Sequence, residues 1–262
     1  MLQRTRPTQA QLVEAAGKQR SALQQWLYGR STAFVLLLVY IAMLIVFATV
    51  SPYFFTIRNL LNTGNNVAYI GLMAAPQTLL IIGGGLDLSV AAMAGFTGVV
   101  LSILVKNAIN IWIGIAIVLL LGCLVGFANG LIVTKLRINP LIATLGMLYM
   151  VEGLALVLTG GLSQPLSAPG FSFLGSGRIL GIPVPLLMML TEFTLLGWIL
   201  GRTRFGRFVY AVGGNASASR LAGIPVDSVL IRLYVLSGLS GALSGVLLAS
   251  MLGASAPTTA SG

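Results

Sequence analysis

Asp87, Glu152 and Glu192 are the side chains of this sequence best suited to chemistry, because each is a carboxylate inside a long apolar stretch. A charge at the centre of a membrane helix costs about 2.5–3.5 kcal/mol on insertion scales. An acid in such a place binds a proton or an ion, lines a polar path, or is held by hydrogen bonds. Asp87 has a local explanation. It sits in the run IIGGGLDLSVAAMAG, residues 81–95, just after Gly83, Gly84 and Gly85. Each glycine lowers helix stability by about 1 kcal/mol relative to alanine, so the triplet reads as a helix break. Asp87 and Ser89 then stand where a new helix starts, and a carboxylate there caps free N–H groups and meets the positive end of the helix dipole. Capping and lining a translocation path are compatible roles. For Glu152 and Glu192 the sequence names no partner; a polar interior suits both better than lipid.

Other chemistry is poorly supplied. The chain has no histidine, which removes the commonest general base and metal ligand. It has no G-x-x-x-x-G-K-[ST] phosphate loop, and no serine or cysteine stands in a visible nucleophile–base pattern. No catalytic residue, no metal site and no cofactor bound by this chain is expected. The lone Cys123 lies in an apolar run and reads as a small packing residue.

The elements that must position these acids are membrane helices. Of 262 residues, 57% are hydrophobic and 8% charged, and the mean hydropathy is +0.98. Soluble domains carry about 25% charged residues, so the expected class is an all-α polytopic membrane bundle. About seven spans are expected, near residues 33–50, 65–82, 88–105, 111–133, 140–158, 184–200 and 228–252. The Tyr53, Phe54 and Phe55 cluster reads as an interfacial belt. Residues 1–30 read as a cytoplasmic leader, with a surface helix over residues 9–27. Residues 31–252 form the membrane domain, and residues 253–262 a short tail. Residues 160–183 are a Gly-, Ser- and Pro-rich loop with room for a short surface helix.

The net charge of +10 follows orientation rather than nucleic-acid binding. With the N-terminus inside, Arg4, Arg6, Lys18, Arg20, Arg30, Lys135, Arg137, Arg202, Arg204, Arg207, Arg220 and Arg232 are cytoplasmic. Arg58, Lys106 and Arg178 are left outside, as the positive-inside rule requires.

Small residues four apart mark close helix contacts in lipid. Gly122, Gly126 and Gly130 make one such stripe, and Ser237, Gly241, Gly245 and Ala249 another. Packing within the chain is the favoured reading, a subunit interface the other. The loop 202–227 holds a turn at Gly213-Gly214-Asn215, then a short amphipathic run over residues 216–222 ended by Gly223 and Pro225. It reads equally as a docking helix or as a solvated basic loop.

At this loop the sequence resembles a known family. Thr203-Arg204-Phe205-Gly206-Arg207, Val212-Gly213-Gly214-Asn215 and Ala222-Gly223-Ile224 are similar to the coupling loop of ribose-type sugar permeases of bacterial ATP-binding-cassette importers. Gly84-Gly85-Leu86-Asp87-Leu88-Ser89-Val90 resembles that family's glycine–aspartate signature, with Ala91 where the family usually has glycine. Asn129-Gly130-Leu131-Ile132-Val133 and Ile138-Asn139-Pro140-Leu141-Ile142-Ala143-Thr144-Leu145 fit as well.

The resemblance implies a permease subunit of the bacterial inner membrane that carries a monosaccharide of ribose, xylose or galactose type. It implies a cytoplasmic ATPase, a second permease copy or paralogue, and a periplasmic sugar-binding protein as partners. Gly214, Asn215, Ala218, Leu221, Ala222 and Gly223 become the ATPase-docking candidates. Asp87, Ser89 and Glu152 become candidates for the path or the helix cap, and Gly83, Gly84 and Gly85 for the flexible break. The family continues beyond the point matched by residue 262, into further spans and a second glycine-rich stretch, so the chain is expected to be C-terminally truncated. An ion-coupled secondary transporter using the buried acids, and a non-transporting truncated subunit, are the other readings.

Overall fold

A computed structural model describes residues 34–257. The expected leader and its surface helix, and the last residues of the tail, lie outside the described residues. The chain divides at Leu60/Leu61 into two compact units.

The first unit holds helix α1, Phe34–Val50, whose side chains are almost all exposed. Phe54 folds back to stack on Phe47 with ring centroids 5.6 Å apart, and meets Phe55 edge-on at 5.0 Å. Phe47, Phe54 and Phe55 are therefore a packed group.

Helix α2, Ile57–Ile82, carries the chain into the second unit. It starts well before the expected residue 65, because Thr56 and the residues after it supply an early first turn. Thr56 accepts from the N–H of Asn59 at 3.3 Å. After the glycine triplet come α3, Val90–Lys106; α4, Ile111–Thr134; and α5, Pro140–Thr159. Asn110 and Asn139 cap α4 and α5, each accepting at 2.9 Å from the N–H two residues on, and Pro140 supplies a preset first turn to α5. Gly160 ends α5 in the left-handed region, φ 61°.

The loop beyond α5 is more structured than its composition suggests. It contains β1, Gln164–Pro165; α6, Ser172–Ser176; and the hairpin β2, Arg178–Ile179, with β3, Ile182–Pro183. Then follow α7, Val184–Arg202; α8, Arg204–Gly214; α9, Ala216–Leu221; α10, Val226–Leu252; and β4, Ala254–Ser255. β4 pairs antiparallel with β1, joining Gln164 to Ser255. Among the described residues five helices (α2, α4, α5, α7 and α10) are long and apolar enough to cross a membrane, and α1 and α3 are shorter apolar helices.

α10 is the axis of the second unit. Two-thirds of its most apolar window is buried (67%), against 17% for α5 and for α7. Both small-residue stripes are spent on it. A Cβ at Gly122 would lie 2.4 Å from the Gly238 carbonyl oxygen, and one at Gly126 2.2 Å from that of Tyr234. The stripe of α4 therefore lies backbone to backbone on α10, running antiparallel. On another face a Cβ at Gly245 would be 2.2 Å from the carbonyl oxygen of Ala94, so α3 runs parallel to α10 at equally close range. The contacts lie within one chain, as favoured from the spacing. Around them Leu79, Leu80, Leu196, Val209, Val212, Leu233 and Tyr234 close a core drawn from α2, α7, α8 and α10.

Candidate functional site

The glycine triplet ends α2 in a defined motif. The Gly85 N–H donates to the Leu80 carbonyl at 2.8 Å, and the Gly84 N–H to that of Ile81 at 3.0 Å. With Gly84 left-handed at φ 85°, this pair of bonds is a Schellman cap. Gly85 is short of space for another reason, since a Cβ there would meet the Leu80 side chain at 2.6 Å. The break is thus a fixed corner and not a run of loose chain.

The corner delivers Asp87 to a buried polar cluster. Asp87 is 1% exposed, and its Oδ1 accepts from the Ser89 N–H at 2.9 Å and the Ser89 hydroxyl at 2.6 Å. Its Oδ2 accepts from the Ser237 hydroxyl of α10 at 2.7 Å. Asn129 of α4 donates through Nδ2 to Ser89 Oγ at 2.9 Å, with a longer contact of 3.4 Å to Asp87 Oδ1. The Gln77 amide donates to the Asp87 carbonyl, and the Tyr234 hydroxyl donates to the Leu86 carbonyl at 3.2 Å. Donors to a buried carboxylate offset the cost of removing it from water. The cap is narrower than expected: one N–H, that of Ser89, reaches Asp87. Ser89 stands at the N-cap of α3, yet its hydroxyl caps no helical N–H because it is bonded to Asp87.

Glu192 of α7 does have a partner, the Ser240 hydroxyl of α10, which donates to its Oε1. Glu152 lies partly buried on α5. Asp87 and Glu192 are therefore each held by a serine of α10, Ser237 and Ser240. The sequence signal for Ser237 is the small-residue spacing, which points to packing and says nothing of hydrogen bonding; Ser240 lies outside that stripe. Asn129 and Gln77 carry a plainer signal, since amides in apolar helices seek polar partners.

At the end of α10 beside Val226, the loop 202–227 is mostly helical. α8 is an addition to the expected loop: Thr203 caps it, accepting from the Gly206 N–H at 3.2 Å, and its apolar side reaches the core through Val209 and Val212. Asn215 then caps α9, its side chain accepting from the Ala218 N–H at 2.9 Å. Gly214, Asn215, Ala218, Leu221, Ala222 and Gly223 are all exposed, Leu221 at 92%. Asp227 fixes the far end of α9, accepting from Arg220 at 2.6 Å and from Lys135, beyond α4, at 2.9 Å. Gly213, at the end of α8, rests on the backbone of Ile82 and Gly83. α8 thus touches the buried corner through Gly213, three residues before α9 begins.

Closely packed apolar helices around a buried polar cluster, with an exposed capped helix at one end, define a polytopic helical membrane protein. Residues 59–262 match the family described as "Branched-chain amino acid transport system / permease component", and the chain belongs to that family. It is 36% identical over 232 residues to the ribose import permease protein RbsC of Escherichia coli K12, covering 86% of this chain and 72% of that protein. It is 40% identical over 222 residues to the L-arabinose ABC transporter permease protein AraH of Azospirillum brasilense, covering 84% and 66%. To RbsC of Bacillus subtilis 168 it is 36% identical over 220 residues, covering 82% and 68%. No solved structure gave a significant match.

Proposed function

We propose that this chain is the membrane-spanning permease subunit of an ATP-driven importer for a monosaccharide, of the kind the ribose and arabinose relatives are named for. The family description speaks of amino acids, whereas the relatives matched over more than 80% of this chain are sugar permeases. Likeness to individual proteins over most of this chain is the finer guide to substrate class. The permease domain is residues 31–252, with its coupling segment at residues 202–227. The N-terminus faces the cytoplasm, and the membrane is the bacterial inner membrane. ATP is bound and hydrolysed by a partner ATPase, a second permease copy or paralogue completes the path, and a periplasmic binding protein delivers the sugar.

The observation that carries this reading is α9: a short helix, capped at Asn215, pinned at Asp227, and showing Leu221 almost fully to solvent. An exposed leucine on a fixed helix is suited to fill a groove of another subunit. Closure of the ATPase would push α9, and Gly213 would pass the displacement to the corner at Gly83. The test is sugar-stimulated ATP hydrolysis in the reconstituted complex. Leu221→Asp and Gly214→Arg are expected to abolish the stimulation; stimulation at the unsubstituted level in both would refute the docking role.

A further inference from the structure

α7 carries a carboxylate that neither the coupling segment nor the Asp87 cluster uses. Glu192 shares one side of α7 with Met189, three residues before it, and Leu196, four residues after it. Leu196 is buried in the core beside Leu79 and Leu233, and Met189 packs against the group of Ala68, Leu72 and Leu247. Glu192 therefore stands between two apolar groups, on the side of α7 turned to α2 and α10. Its Oε1 accepts from the Ser240 hydroxyl, while its Oε2 is buried and has no hydrogen-bond partner among the described residues. No cation among the described residues pairs with it.

The charged and titratable groups of the surrounding elements stand elsewhere. Those of α2 are Arg58 and Tyr69, those of α8 are Arg204, Arg207 and Tyr210, and those of α10 are Asp227, Arg232 and Tyr234; α6 has none. Arg58, Arg204, Arg207, Tyr210 and Arg232 are exposed, Asp227 is paired with Arg220 and Lys135, and the Tyr234 hydroxyl is given to Leu86. Tyr69 packs beside Leu72 and Leu247, and its carbonyl accepts from Ser244. Arg202, at the end of α7, is ten residues from Glu192, about 15 Å at the helical rise, and Arg178 lies in β2 before α7 begins. One acid is close: Asp87 is bonded to Ser237, one helical turn from Ser240 on α10. Two carboxylates hung from neighbouring positions of one helix resist being ionised together. Asp87 has three donors, the Ser89 N–H, the Ser89 hydroxyl and the Ser237 hydroxyl, whereas Glu192 has one. A charge on an oxygen without a donor, in apolar surroundings, is so costly that the group neutralises instead. Of the two acids, Glu192 is the one that takes the proton.

We propose that Glu192 is a proton-binding site, an un-ionised carboxylic acid at neutral pH that seats α7 on α10 through Ser240. The proton comes from water and returns to it, and no other bond is made or broken. Without the proton, the carboxylate draws water between α7 and α10 and loosens α7. The site does not depend on which solute the permease carries.

Infrared spectroscopy of the full chain in lipid nanodiscs, grown with isotope-labelled glutamate, tests it. Only Glu14, Glu152 and Glu192 then contribute labelled carboxyl bands, which sets Asp87 aside. At neutral pH the unsubstituted chain is expected to show the labelled C=O stretch of an un-ionised carboxyl. Glu192→Gln is expected to remove that band. Ser240→Ala is expected to keep it but move it to higher frequency, because the C=O loses its donor. Ser240 bonds to Glu192, so a band that moves in Ser240→Ala belongs to Glu192 even if Glu192→Gln fails to fold. Absence of the band in the unsubstituted chain, its survival in Glu192→Gln, or an unmoved band in Ser240→Ala overturns the proposal. Melting gives a second reading. A folded state that keeps a proton which the unfolded chain releases is favoured as the pH falls. The melting temperature is therefore expected to drop from mildly acidic to mildly alkaline buffer, and to drop less in Glu192→Gln; an equal drop in both also overturns the proposal.

Discussion

Gly213 of α8 lies against Gly83 and Ile82 of the α2 corner so closely that a Cβ on Gly213 would fall 1.7 Å from the Ile82 carbonyl oxygen. Backbone touches backbone, and no side chain between them can yield. Gly213→Ala must push the two segments apart. The expected result is a folded chain that still attaches the ATPase, because α9 is unaltered, with sugar-stimulated hydrolysis reduced at least tenfold. Co-purification with the ATPase, followed by the stimulation assay, checks both halves.

Ser237 and Asp87 make a second test. Ser237→Ala removes a hydroxyl donor to a carboxylate that is 1% exposed, and hydrogen bonds to charged groups are worth about 1.5–3 kcal/mol. Ser237→Ala is expected to destabilise the chain by that amount, and Asp87→Leu by more, since it leaves both Ser89 and Ser237 without their acceptor. In the background of Asp87→Leu, Ser237→Ala should cost less than it does alone. Thermal unfolding in detergent, run as a double-mutant cycle, measures the coupling; additive effects would mean the bond is not made.

The α4–α10 seam predicts a steep size dependence. Gly238 has the carbonyl oxygen of Gly122 2.2 Å from where its Cβ would be. Gly238→Ala should cost a few kcal/mol, in the manner of overpacked cores, and Gly238→Leu should prevent folding. By contrast Gly146 and Gly197 have open space at the Cβ position, and alanine there should be neutral or slightly stabilising by helix propensity. Expression level and melting temperature of the four variants give the comparison.

Asp227 anchors α9 from a half-buried position, while its partners Arg220 and Lys135 have side chains 56% and 60% exposed. Exposed ion pairs add about 0–1 kcal/mol to stability. Asp227→Ala is therefore expected to leave the melting temperature nearly unchanged while loosening the end of α9. Amide exchange over residues 216–222 should rise, and coupled hydrolysis should fall. High salt should partly reproduce both effects in the unsubstituted chain.

What the sequence discloses follows from the range of each interaction. Apolar runs are local, so the helices and the break at Gly83–Gly85 can be read along the chain. The stripe Gly122, Gly126, Gly130 also discloses close packing, because four-residue spacing is local; its partner, α10, is not. α8 escapes a reading by hydropathy because Arg204, Arg207 and its glycines mask an apolar side that becomes clear only against Leu79 and Leu233. The α10 partners of Asp87 and Glu192 lie 150 and 48 residues away in sequence, and nothing in the spacing joins them. Gly213 looked like part of a turn; its importance is a distance to Ile82, which one dimension does not carry.

The carbonyl-to-glycine seams of α10 with α4 and with α3 have a mechanical meaning. Helices that meet through side chains can slide by exchanging rotamers, but helices that meet through backbone have no such slack. α3, α4 and α10 are thereby a keel, three rods that can tilt only together. Any opening of the bundle must occur where the seams are made of long side chains, as at Met189 and Phe193 of α7 against Gly71 of α2. Were the bundle to open there, α7 would be the plank that moves, and the Ser240–Glu192 hydrogen bond would have to break.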